Sequence, residues 1–192
     1  MSRRILILQG HPAAQSLCGA LAEAYAQGAR EAGHTVTLLA LRELAFDPVL
    51  HEGYRVVQPL EPDLLEAQHL VREADHLVVV YPTWWGGMPA LLKGFFDRML
   101  LPGFGFRYRE GSPWWDKYLT GRSGHLITTM DTPPWYYRLV YRDAGVNQLR
   151  RTVLEFCGIG PLRVTRIGRV RDTPEAWKQA WLEKVRAMGR RA

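Results

Sequence analysis

Only two cysteines, Cys18 and Cys157, occur in the 192 residues. They lie far apart and make no Cys-x-x-Cys pair, which excludes the usual zinc and dithiol redox sites; no metal site is expected. Each sits in an apolar helical pattern and reads as a buried thiol in a reducing compartment. Long apolar runs are also missing. None approaches the roughly 20 residues of a membrane span. The opening "MSRRILILQGHP" carries four apolar residues after its basic pair, too few for a signal-peptide core. A cytoplasmic protein with no transmembrane segment is therefore expected. Charge blocks are absent too. Lys and Arg total 25 against 19 Asp and Glu, a net +6, but they are dispersed. Dispersed charge reads as a solvated surface, and no nucleic-acid partner is expected. The excess does suit phosphate-bearing small ligands. There is no G-x-G-x-x-G and no Walker lysine, so neither a dinucleotide loop nor an ATP loop of those types is indicated. Repeats, low-complexity tracts and linkers are lacking, and the length suits one domain over residues 1–192.

What is present alternates. "RILILQG" (4–10) is a short apolar run ending in glycine, the pattern of a buried parallel strand. A helical pattern follows over 17–33, with Leu17, Leu21, Tyr25 and Ala29 on one face and Gly33 as its stop. "HTVTLLAL" (34–41) is a second strand. The breaker-rich stretch from 42 to 62 reads as a long surface loop. A helix over 63–75 is expected to turn Leu64, Leu65, Gln68 and Val71 inward. "HLVVVYP" (76–82) is a third strand, and "ALLKGFFDRML" (90–100) an apolar helix. After an aromatic, Gly- and Pro-rich segment come a fourth strand over 122–130, a loop over 131–145 with possible helical turns, a helix over 146–160 and a fifth strand over 161–170. A last helix covers 173–189, with Thr173 as N-cap and Pro174 in its first turn. Five strands alternating with helices predict an α/β doubly wound parallel sheet with helices on both faces. Its natural strand order is the flavodoxin-like 2-1-3-4-5. Ligands in such sheets bind beyond the carboxyl ends of the strands, at the switch point between strands one and three.

Three loops meet there. "GHPAAQSL" leads into the first helix, whose N-terminal N–H groups suit a phosphate. His11, Gln15 and Ser16 add polar atoms, although Ser16 as a plain helix cap explains the same letters. "PTWWGGMP" joins two glycines, which let backbone approach a flat ring, to Trp84 and Trp85, which supply flat faces. A core tryptophan beside a tight turn is the alternative. "TTMDTPPWYY" offers the Thr128 and Thr129 hydroxyls, with Trp135, Tyr136 and Tyr137 as a further aromatic wall or as sheet packing.

A flat ring with a phosphate tail in such a sheet describes a flavin mononucleotide. "YPTWWGGMPALLKGFFDRMLLPGFGF" resembles the NAD(P)H:quinone oxidoreductases, the DT-diaphorase family and its bacterial relatives. The shared core is Pro82, Trp85, Gly87, Pro89, Ala90, Leu92, Lys93 and Gly94. The likeness extends over most of the first 130 residues, through "GHPAAQSL", "LAFDPVL", "EAQHLVREADHLVVVYP" and "ITT"; the last 60 match loosely.

The resemblance implies a flavoenzyme that takes hydride from NAD(P)H and passes it to a quinone or similar acceptor in alternating steps. It places the flavin phosphate region at His11, Gln15, Ser16 and Leu17. Pro82, Thr83, Trp84, Trp85 and Gly86 line the ring edge, and Thr128, Thr129, Met130 and Asp131 contact it from the other side. Relatives carry Gly-Gly where this chain has Met130-Asp131. Tyr136 stands where the animal enzymes have a catalytic tyrosine, and Arg142 where they have its histidine partner. FMN is favoured over FAD because no added C-terminal segment is there to hold an adenosine. The resemblance also implies a homodimer, with Phe104 to Trp115 as dimer contact or pocket cover. Two other readings share the fold: a flavodoxin-type electron carrier, typically acidic and without "PALLKGFFDR", and a regulatory flavoprotein subunit of a potassium-efflux system.

Overall fold

The computed structural model describes residues 2–171 and 173–192. Its central strand β3, His76–Pro82, is buried at every position. That is the environment of a parallel strand covered by helices on both faces. Period-two alternation sends Leu77, Val79 and Tyr81 to one layer and Val78 and Val80 to the other. β1, Arg4–Gln9, divides likewise, Leu6 and Leu8 against Ile5 and Ile7. The first layer includes α2 (Pro62–Glu73) and α3 (Ala90–Met99); the second is α1 (Leu17–Glu31) and α7 (Glu175–Gly189).

With β2 (Thr35–Ala40), β6 (Ser123–Thr129) and β7 (Leu162–Ile167) the sheet runs β2-β1-β3-β6-β7, all parallel. This is the expected 2-1-3-4-5 order, with β6 and β7 as the fourth and fifth strands. The aromatic segment holds a small antiparallel pair, β4 (Phe106–Tyr108) and β5 (Trp115–Lys117). Beyond β6 come α4 (Pro134–Leu139) and α5 (Ala144–Asn147).

Three local expectations are corrected. The helix expected over 146–160 is instead α5, a π-helical run over Gln148–Leu154, and the short α6 (Glu155–Cys157). In α2 the buried face is Leu64, Ala67 and Val71, while Leu65 is 53% exposed; a helix turns about 100° per residue, so Leu65 cannot share the face of Leu64. At α7 the N-cap is Pro174, which has no side-chain acceptor, and the Thr173 hydroxyl donates to the Val170 carbonyl at 3.1 Å.

α1 and α7 cross closely because glycines face backbone. A Cβ on Gly28 would lie 1.9 Å from the Arg186 carbonyl oxygen, and one on Gly189 2.2 Å from that of Tyr25. Gly28→Ala is expected to destabilise by about 1–2 kcal/mol. The overpacking penalty exceeds the helix-propensity gain of about 1 kcal/mol. A thermal melt should show a drop of several degrees; a rise would mean the helices part freely.

Candidate functional site

β1, β3 and β6 end together. Gln9 pairs in register with Val80, and Pro82 with Thr129. The Gly10 amide donates to the Val80 carbonyl at 2.8 Å, and the Thr83 amide to that of Thr129 at 2.7 Å. The hydroxyls of Thr83 and Thr128 share a hydrogen bond of 2.6 Å. All three loops singled out in the sequence are thereby brought to one end of the sheet.

In the first loop the Ala13 amide donates to His11 Nδ1 at 3.0 Å, so the neutral ring carries its proton on Nε2. Burial holds His11 below its ordinary pKa. The His11 ring meets Trp84 edge-on, with centroids 5.5 Å apart. Ser16 caps α1, its Oγ accepting from the Gly19 amide at 3.1 Å. The amides of Leu17 and Cys18 have no acceptor among the described residues, as befits the open end of a helix. Beneath them Gln9 is 1% exposed, and neither of its side-chain amide atoms has a partner among the described residues. A hollow of about 590 Å³ runs past Gln9, Gln15, Ser16, Gly19 and Arg42.

The second loop is a two-residue turn. Trp84 N–H donates to the Gly87 carbonyl at 2.9 Å, and Gly87 N–H to that of Trp84 at 3.0 Å. The central φ values are +50° at Trp85 and +77° at Gly86, the signature of a type I′ turn. Glycine takes such a φ freely; a tryptophan there is strained, by about 1–3 kcal/mol, and Trp85 stands wholly in solvent. The Trp85 and Gly86 amides have no acceptor among the described residues. Tyr137 braces the turn from behind. Its hydroxyl donates to the Gly86 carbonyl at 2.8 Å and accepts from the Gly145 amide at 3.1 Å. Burial raises the pKa of Tyr137, which keeps it a donor.

The third loop faces inward more than its letters suggest. Thr128 is buried against Thr83, and Thr129 Oγ1 lies 3.3 Å from Cys18 Sγ. The Met130 side chain is buried with Tyr137 and Val146, and its amide donates to the Ile167 carbonyl at 2.8 Å. Asp131 pairs with Arg171 at 3.1 Å. Tyr136 is half-exposed, edge-on to Trp135 and to Tyr141 at centroid distances of 5.6 and 5.4 Å.

Sequence reasoning missed Gln9 and Gly145, and took Tyr137 for an aromatic wall or sheet packing rather than the brace of the turn. Gln9 did leave a signal: it is the one polar residue closing an otherwise apolar buried strand.

The family described as flavodoxin-like fold matches residues 3–191. The chain belongs to that family. Curated members of similar sequence include an uncharacterized NAD(P)H oxidoreductase of Haemophilus influenzae, 28% identical over 93% of this chain and 90% of that protein. A ribosyldihydronicotinamide dehydrogenase (quinone) of Mus musculus is 30% identical over 81% of this chain and 77% of its own. Among solved structures, the NAD(P)H:quinone oxidoreductase from Methanothermobacter marburgensis superposes with a TM-score of 0.81 at 25% identity, covering 99% and 98% of the two chains. In this flavodoxin-like chain the strand ends, the α1 N-terminus and the Trp84–Gly87 turn thus form the candidate ligand edge. A separate apolar groove of about 470 Å³, lined by Tyr54, Phe96, Phe106, Tyr108 and Phe156 among others, lies between α3, β4 and α6.

Proposed function

We propose that the protein is a flavin-dependent NAD(P)H oxidoreductase that reduces quinones or similar acceptors. The observation that carries this reading is the set of uncommitted donors at one sheet end. Leu17 and Cys18 offer amides at the positive end of a fifteen-residue helix, and Trp85 and Gly86 offer theirs at the tip of a strained turn. The unpartnered Gln9 amide lines the hollow at the α1 N-terminus, and a buried amide without partners costs about 1–3 kcal/mol. A ligand with a phosphate and a flat polar ring answers all three needs, and FMN fits. His11, Gln15, Ser16 and the α1 amides hold the phosphate end. The Pro82–Gly86 backbone lines the ring edge, and the Thr128–Asp131 backbone borders it.

A bound flavin would supply the hydride-carrying chemistry between NAD(P)H and the acceptor. The chain supplies position and charge. The Trp85 and Gly86 amides meet negative charge at the ring edge, the role of preorganised donors. Tyr137 fixes those amides by holding the Gly86 carbonyl. Tyr136, half-exposed on the same helix as Tyr137, would donate to the acceptor oxygen. Relatives named for NAD(P)H and quinone support the donor and acceptor classes. The protein works as a cytoplasmic homodimer, with the aromatic groove along α3 and β4 as the subunit contact; its exposed Tyr108 supports this.

The test is direct. The purified protein should be yellow, and chromatography of the released cofactor should give FMN. NADH or NADPH should bleach it in stopped flow, and a quinone should restore the colour with multiple turnovers. A flavin that neither nicotinamide reduces would leave the carrier or regulatory reading instead.

A further inference from the structure

Two adjoining hollows flank α4. One, of about 540 Å³, is lined by Pro134, Trp135, Arg138, Leu139 and Arg166. The other, of about 460 Å³, includes Arg138, Arg142, Asp143, Arg150, Arg151 and Arg166 in its lining. They share Arg138 and Arg166 and so form one groove with an aromatic end and a cationic end. Their sizes suit a nucleotide-sized ligand.

Five arginines meet one carboxylate in that lining. Asp143 is taken by Arg166 through two bonds of 2.8 and 2.7 Å. Arg150 is paired with Glu155 at 2.9 Å. Arg138, Arg142 and Arg151 have no ion-pair partner among the described residues. Like charges gathered in a concavity repel one another, and a concave cationic wall focuses the field on an anion. The backbone is strained at the same place. Arg142 and Asp143 are consecutive left-handed residues, φ +53° and +55°, although neither is glycine. Strain of about 1–3 kcal/mol each is kept where the surroundings enforce it. Here the Asp143–Arg166 bridge and the bond from Asn147 Nδ2 to the Arg142 carbonyl, 2.8 Å, do so. At the other end Trp135 is 63% exposed.

We propose that this groove binds the adenosine end of the dinucleotide donor, its base on Trp135 and its 2′-phosphate on Arg138, Arg142 and Arg151, so that the protein prefers NADPH to NADH. The inference rests on the oxidoreductase reading and adds the donor site to it. An exposed indole stacks a flat base, and planar guanidinium groups grip phosphate in forks that a single point charge does not match. α4 also carries Tyr136 and Tyr137, so the groove adjoins the ring-lining turn.

Calorimetry with adenosine 2′,5′-bisphosphate and with 5′-AMP tests it on the flavin-loaded protein. The bisphosphate should bind at least tenfold more tightly. The Arg138→Gln/Arg142→Asn double variant should weaken the bisphosphate about tenfold; Asn tolerates the left-handed φ of position 142. Arg151→Gln leaves the strained pair untouched and should weaken it severalfold. In turnover, the ratio of kcat/KM for NADPH to that for NADH should fall about tenfold in the double variant. Equal binding of the two nucleotides, or an unchanged bisphosphate affinity in both variants, overturns the proposal. So does a kcat/KM ratio that ignores the substitutions while free bisphosphate responds, since the groove then serves a free nucleotide. Failure of the oxidoreductase reading shows separately, as a flavin that neither nicotinamide reduces.

Discussion

Gly145→Ala is expected to lower flavin affinity by roughly a hundredfold, about 2.7 kcal/mol. A Cβ at this position would lie 2.2 Å from the Gly86 carbonyl oxygen and 2.7 Å from Gly87 Cα. The methyl must push the turn away from α5. That movement breaks the Tyr137 bond to Gly86 at 2.8 Å and the Gly145 bond to Tyr137 at 3.1 Å. It also carries the Trp85 and Gly86 amides off target, and each hydrogen bond so lost is worth about 0.5–1.5 kcal/mol. The turn is free to move because Trp85 lies wholly in solvent, so the fold should survive. Trp84→Ala removes only an indole that meets His11 edge-on, and a loss of no more than about fivefold is expected. Fluorescence titration of the stripped protein with FMN compares the two. If Trp84→Ala costs more than Gly145→Ala, side-chain stacking rather than the braced backbone holds the ring.

The sheet was legible because its strands are short, apolar and separated by helical periods. "HLVVVYP" has no polar residue to face water, and the structure buries all of it. The switch-point loops were legible as odd composition in the right place. The type I′ geometry of the turn was not, because tryptophan at a positive φ runs against propensity; the Trp84–Gly87 bonds and the docking on Tyr137 and Gly145 hold it there. Nor does a sequence say which of two adjacent tyrosines points inward. Tyr137 packs with Met130 and Val146 while Tyr136 stays half-exposed, a choice set by how α4 lies on the sheet. The π-helical run over Gln148–Leu154 was invisible as well: its residues carry no signal that separates a π turn from an α turn. Leu65 was misplaced by reading hydrophobicity without the 100° step.

Arg98→Ala is expected to destabilise the protein by about 3–5 kcal/mol, the range for removing one partner of a buried ion pair. Its side chain is fully buried. One guanidinium holds both ends of the long loop between β2 and α2. It donates to the Asp47 carbonyl, to the Pro59 carbonyl at 2.8 Å, and to Glu61 Oε2 at 2.9 Å. Glu61 in turn accepts from the Asp47 amide at 3.1 Å. Without Arg98 two carbonyls and a partly buried carboxylate lose their partner together, and the loop has no other charged anchor on α3 among these contacts. Scanning calorimetry should show a fall of about 6–20 °C, at 2–4 °C per kcal/mol for a chain of this size. Arg98→Lys, which keeps the charge but not the fork, should recover only part of it. Acid gives an independent check. Burial alone would raise the Glu61 pKa, but the amides of Asp47 and of Glu61 itself, with Arg98, hold it below its ordinary 4.5. A depressed carboxyl contributes its full stability above the unfolded pKa and loses it as pH falls through the folded one. The gap between wild type and Arg98→Ala should therefore be widest near neutrality and narrow, without vanishing, as pH drops below about 4.5. A gap that stays constant down to pH 3 would assign Arg98 to packing and carbonyl bonding alone. The consequence reaches the proposed subunit contact, because Tyr54 of this same loop lines the aromatic groove with Phe96, two residues before Arg98 on α3. Releasing the loop should then weaken the dimer as well as the fold.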